Sequence, residues 1–183
     1  MRPMLPPRVL ALLVLAVAAA SIPAAGGVAR PALAVDAGRY AGRWYVISRR
    51  PDPAAPQVAG FFEHELLGDG AMVEAYSARP GSFDREPRVV RRTGQPDPAH
   101  PGRWIFRSGW FGRDEHVVLY VSADYRLAIE DSGESLWVLA REPEIPEWSY
   151  AGLLARLALQ GYDVTQLRRM AQKPEQLGRR GYE

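Results

Sequence analysis

At 183 residues the chain has the size of one domain with a full core. Its 23 basic and 21 acidic residues give a net charge of +2, but Arg2, Arg8 and Arg30 fall in the first 34 residues with no acid among them. The remainder holds 20 basic and 21 acidic residues, which excludes the basic surplus of a nucleic-acid binder, and the absence of cysteine leaves stability to the core alone.

Arg2 and Arg8 are followed by an unbroken apolar run from Val9 to Ala20 and then by small residues, the pattern of a secretory signal peptide. The run is shorter than the roughly 20 apolar residues of a membrane span. Ala32-Leu33-Ala34 is one cleavage motif, and Ala18-Ala19-Ala20 and the stretch near Ala25 are alternatives. Residues 1–34 are therefore expected to be a leader, and 35–172 one folded domain.

From residue 42 onward, short apolar-rich runs alternate with Gly, Pro and Asp clusters, the signature of an all-β sandwich or barrel. Strands are predicted at 43–49, 58–67, 71–78, 87–93, 103–108, 115–122, 125–130 and 135–141. The stretch Pro96–Gly102 holds three prolines and cannot be a central strand. After Pro143 and Pro146 the period changes: Trp148, Ala151, Leu154, Ala155 and Leu159 fall roughly on one helical stripe over 147–160, and Gly161 ends it. A short ninth strand is expected within 163–170, and 173–183 reads as a flexible tail.

Eight meandering strands suit an antiparallel up-and-down barrel, which removes its own edges and leaves an interior for one small ligand. Connections alternate between the two ends, so Trp44, Asp124-Tyr125 and Arg141 are expected together at the closed end. Loops 50–57, 79–86, 109–114 and 131–134 then surround the mouth.

Those closed-end residues resemble the lipocalin family. Gly42-Arg43-Trp44 matches its Gly-x-Trp motif, Asp124-Tyr125-Arg126 is a looser form of its second motif, and Arg141 stands at its third. The resemblance implies that Arg141 packs over the Trp44 ring. The wording is closest to the bacterial branch, similar to apolipoprotein D, in Tyr40–Arg49, Tyr125-Arg126-Leu127-Ala128, Leu136–Pro143 and Gly161-Tyr162-Asp163-Val164. It departs in lacking the lipid-modified Cys that bacterial members often carry, and in having Glu130 where many hold a Cys. The implied protein binds a fatty acid, lysophospholipid or similar small lipid, is exported to the bacterial periplasm or secreted, and has no cofactor. An uncleaved leader acting as an anchor is the alternative.

Alternation from Trp44 selects the inward positions. A three-residue turn at Gly68-Asp69-Gly70 pairs Leu66 with Met72, His64 with Glu74, and Phe62 with Tyr76. The expected ligand-lining residues are Phe62, His64, Glu74, Tyr76, Phe106, Trp110, Phe111, His116, Val118, Tyr120, Trp137 and Leu139. His64–Glu74 is either a polar anchor for a headgroup or a self-satisfied structural pair. Trp110 and Phe111 cap the ligand, touch a membrane transiently or simply pack the mouth loop. Arg88, Arg91 and Arg92 read as a solvated face, with Arg91 the one to turn inward if any does.

The chain has no Gly-x-Ser-x-Gly elbow, and His64, His100 and His116 show no metal-ligand spacing, so the reading is a binding protein and not an enzyme. Two alternatives stay open: an enzyme acting on a lipid or isoprenoid through His64–Glu74, and a barrel filled by its own side chains that serves as an envelope interaction protein. The sequence leaves the oligomeric state undefined.

Overall fold

The computed structural model describes residues 35–108, 112–133 and 135–183. The leader expected over 1–34 and the mouth residues Trp110 and Phe111 lie outside that range. Nine strands form one antiparallel sheet: β1 (Gly42–Arg49), β2 (Gln57–Leu66), β3 (Met72–Pro80), β4 (Arg88–Pro96), β5 (Arg103–Ser108), β6 (Gly112–Val121), β7 (Leu127–Asp131), β8 (Leu136–Ala140) and β9 (Arg168–Arg169). Each strand from β2 to β7 pairs with the next. β1 pairs with both β8 and β2, closing eight strands into a barrel, and β9 adds to β1 from outside. The eight-stranded barrel with an external helix and a short ninth strand is therefore as the sequence predicts.

Alternation sorts the core into two layers. Inside the barrel lie Tyr40, Trp44, Val46, Phe62, Met72, Trp104, Phe106, Val118 and Leu139. Outside it, α2 (Glu147–Leu159) packs Leu153 and Leu157 against Ile47, Val117, Leu119, Ile129 and Val138. The helix buries a different face from the expected stripe: Ser149, Leu153 and Leu157 are covered, whereas Trp148 is 78% and Leu159 90% exposed. The apolar residues of this helix span more than one face. The sheet takes the face where two leucines stand four residues apart, one above the other.

The β1–β2 seam is only half a ladder. It pairs Gly42 to Tyr45 with His64 to Phe61, and then the strands part, with Ala59 at φ +52°. The segment after β9 fills the gap. Ala59 N–H donates to Ala171 O at 2.8 Å, Gln172 Nε2 donates to Val46 O at 2.7 Å and Gly60 O at 3.0 Å, and Gly60 N–H points at Met170 Sδ. The expectation of a flexible tail over 173–183 is corrected. Glu183 forms a bidentate pair with Arg49 at 2.8 and 2.9 Å, with both side chains almost fully buried, and Gln176 Oε1 accepts from Gln172 N–H and Lys173 N–H. A polar composition suggested solvent, but these polar groups bond to the barrel instead.

Candidate functional site

The closed end is built first. A four-residue helix, α1 (Ala37–Tyr40), is capped by Asp36, whose carboxylate accepts from Arg39 N–H. It delivers Tyr40 into the barrel, where Trp44 Nε1 donates to Tyr40 O at 2.7 Å. The Arg141 guanidinium lies 3.8 Å from the centre of the Trp44 ring and donates to the carbonyls of Arg39, Tyr40, Ala41, Arg43 and Tyr125. Gly42 is at φ +92°, and a Cβ there would press on Arg141 Nη1 at 3.3 Å. Asp124 accepts from Arg126 N–H, closing the turn in which Tyr125 adopts φ +58°, and the Tyr125 hydroxyl accepts from Asp36 N–H. Gly42, Trp44, Asp124, Tyr125, Arg126 and Arg141 thus form a floor.

Above it, three aromatic rings meet toward the mouth. Phe62 stands edge-on to Trp137 with centroids 5.2 Å apart, and Tyr76 lies 4.8 Å from Phe62 and 5.5 Å from Trp137. They line a cavity of about 240 Å³ completed by Val90, Arg92, Asp114, His116, Ser132 and Ser135. A second hollow of about 450 Å³ lies on the other side of Tyr76 and Val90, against Ala54–Gln57, Ala78, Pro80, Gly81 and Arg88. Tyr76 OH donates to Gln57 Oε1, and burial pushes its pKa up.

Beneath the cavity lies a charged cluster. Register places Glu74 opposite both His64 and Arg92, and Val118 opposite Glu130. Arg92 Nη2 donates to Glu74 Oε1 at 2.7 Å and lies 2.8 Å from His116 Nε2, while its Nη1 reaches Asp114 at 3.2 Å. Glu74 Oε2 lies 3.5 Å from His64 Nε2 and 3.0 Å from His116 Nδ1, and Glu130 Oε1 is 3.6 Å from that same Nδ1. Burial acts against charge on Glu74, but His116 and His64 outweigh it and hold the carboxyl well below the usual range.

The influences on His116 are opposed. Burial acts against its charge, the Glu130 and Glu74 carboxylates favour it more strongly, and the balance raises its pKa to about 9. Arg92 needs a lone pair on Nε2. The 2.8 Å contact describes the neutral ring with its proton on Nδ1, and a charged ring has to turn Arg92 away.

The expected lining residues separate into four groups. Phe62, Tyr76, His116 and Trp137 face the cavity. His64 and Glu74 lie deeper, in the charged cluster. Phe106, Val118 and Leu139 are buried in the inner core, filling the barrel and not lining the cavity. Tyr120 is corrected: it faces outward, under Arg156 of α2 at 4.2 Å. A register shift between Val118 and Tyr120 reverses the alternation there, which strict period-2 counting misses. On β4 the inward arginine is Arg92 and not Arg91, since Glu74 pairs with Arg92 and Ala75 with Arg91. The signal for it was the Met72–Gly94 register, which fixes the parity of the strand. Glu130 was also missed as a partner of this cluster, although its place inside an apolar strand marked it.

An eight-stranded barrel with a sealed floor and an aromatic-walled cavity is an architecture suited to holding a small ligand. Residues 35–172 match the model of the family described as the lipocalin-like domain, and the chain belongs to that family. It is 27% identical over 154 residues to temperature-induced lipocalin-1 of Arabidopsis thaliana, covering 73% of this chain and 77% of that protein. Among solved structures it is similar to lobster apocrustacyanin A1, with a TM-score of 0.60 and 14% identity over 75% of this chain and 80% of that one. It is similar also to the cockroach allergen Per a 4, with a TM-score of 0.59 and 15% identity over 76% and 89%. The family and its fold support binding of a small hydrophobic ligand.

Proposed function

We propose that the protein carries or stores a small amphiphile of the fatty acid or lysophospholipid type, in the cell envelope of a bacterium or outside the cell. The observation that carries this reading is the juxtaposition of the Phe62–Tyr76–Trp137 wall with Arg92 and His116 in one cavity. The apolar wall suits an acyl chain, each buried CH₂ contributing about 0.8 kcal/mol. Arg92 and the serine hydroxyls suit the polar end. The cavity of about 240 Å³ is below the roughly 300–1,000 Å³ usual for ligand sites. A chain of ordinary fatty-acid length therefore has to displace Tyr76 or Val90 and extend into the hollow beyond them. The leader over 1–34 supports export, and the motif wording supports the bacterial branch. The chain offers no cysteine nucleophile or hydrolase elbow, which favours binding over catalysis.

The test is native mass spectrometry of the purified protein, followed by titration of fatty acid and lysolipid against Trp fluorescence. A saturable change at micromolar ligand is expected, and Trp137→Leu should weaken it. No saturable change with either lipid class would support the second reading, a filled barrel used as an interaction protein. Complete burial of Trp44, Tyr40, Phe106 and Leu139 in the lower half favours that alternative.

A further inference from the structure

Three buried side chains from three strands converge inside the barrel, each with an atom suited to a metal ion: His64 on β2, Glu74 on β3 and Glu130 on β7. One ligating atom of each lies within 4.8 Å of the other two. Ligand atoms arranged tetrahedrally about 2.0–2.1 Å from zinc stand roughly 3.3–3.4 Å apart. His64 Nε2 and Glu74 Oε2 are already 3.5 Å apart.

Two further observations point the same way. Among the described residues, Glu130 Oε2 and His64 Nδ1 are buried with no hydrogen-bond partner, and His116 Nδ1, though 3.0 Å from Glu74 Oε2, is not aligned for a hydrogen bond. Buried polar groups are nearly always satisfied, and Glu130 Oε2 is an unpartnered carboxylate oxygen on one of the three converging donors. The charges agree: three carboxylates, those of Glu74, Glu130 and Asp114, share this cluster with the one guanidinium of Arg92, and a cation offsets the acidic excess.

We propose that His64, Glu74 and Glu130 bind one divalent first-row transition-metal ion within the barrel, below the ligand cavity. One imidazole and two carboxylates form a donor set that zinc accepts, whereas calcium and magnesium favour all-oxygen sites with six or more ligands. His116 is not a ligand while Arg92 holds its Nε2. Its Nδ1 lies beside both ligating carboxylates, 3.0 Å from Glu74 Oε2 and 3.6 Å from Glu130 Oε1. A tetrahedral ion held by three protein atoms keeps a fourth position for water. This reading is independent of which amphiphile fills the cavity. Sequence spacing did not reveal it, because residues 64, 74 and 130 meet only through strand register.

The experiment is zinc loading of the untagged, chelator-stripped protein, with metal content measured after gel filtration, and visible absorption of the Co²⁺ form. One equivalent of zinc per chain is expected, with a raised Tm and intense tetrahedral Co²⁺ bands. His64→Gln and Glu130→Gln should each weaken zinc binding at least tenfold, with near-UV circular dichroism reporting their fold. His100→Ala, which removes the surface pair with Asp97, should leave it unchanged. The Co²⁺ spectrum of the unaltered protein reads the ligand set even if a variant fails to fold. Failure to retain zinc at micromolar concentration, equal retention by both barrel variants, or loss only in His100→Ala would overturn the proposal.

Discussion

Met170 occupies the space that a side chain on residue 60 would need: a Cβ built on Gly60 collides with the Met170 thioether. Glycine at 60 thus lets the last segment of the domain enter the seam between β1 and β2. Gly60→Val should lower stability by about 1–3 kcal/mol, as overpacking of a filled core does. Adding Met170→Ala should recover part of the loss. Denaturant melts of the two variants decide it, and a double variant no better than the single one would show that the two residues do not compete.

Trp44→Ala should cost about 3–5 kcal/mol, as large aromatic truncations in cores do. It should change ligand selectivity little, because Trp44 belongs to the floor and lines no part of the cavity. Thermal melts paired with competition between fatty acid and lysolipid check both halves. Unchanged stability with shifted selectivity would contradict the placement of Trp44.

Arg49 and Glu183 are a buried pair, with side chains 6% and 5% exposed. Removing one partner leaves a buried charge alone, so Arg49→Met should destabilise by about 3–5 kcal/mol. Glu183→Gln alone should do nearly as much harm. The double replacement Arg49→Met with Glu183→Met should be closer to wild type than either single change. A double-mutant cycle in urea measures the coupling.

The charged cluster sets a pH window. The folded-state pKa of Glu74 is depressed, so the stability it contributes is present above its ordinary unfolded value near 4.5 and is lost as pH falls further. That of His116 is raised, so its contribution is fully present below about 6.5 and is lost as pH rises through about 9. Metal-free Tm should therefore be highest between about pH 4.5 and 6.5 and decline on both sides. In His116→Gln the alkaline decline should largely vanish, and a slope there equal to wild type would assign it to another group.

Most of the architecture was legible because the chain is locally consistent. Gly, Pro and Asp clusters mark the ends of strands, and the Gly68-Asp69-Gly70 turn fixes the pairing of His64 with Glu74 to the residue. The floor was legible because its parts carry distinctive chemistry at three separated positions. What escaped depends on features without a local signature. The irregularity after Val118 turned Tyr120 outward, and the parity of β4, not its composition, decided which arginine enters the barrel. The face of α2 was misplaced because its apolar residues serve two stripes. The packing of 173–183 escaped because its partners, Arg49 and Glu144, are far away in the chain.

The stitched seam has a consequence for how the protein is made. Gln172 reaches back 126 residues to Val46, and Glu183 134 residues to Arg49. Contacts of such high sequence separation are expensive to close and come late, and topologies rich in them fold slowly, in milliseconds to seconds. Until residues 168–183 emerge and dock, the carbonyls of Val46 and Gly60 have no donor from Gln172 and the two strands beside them stay splayed. During synthesis the seam beside the first strand must therefore wait for residues 168–183, and any factor that shields exposed strand edges would act on the protein in that interval.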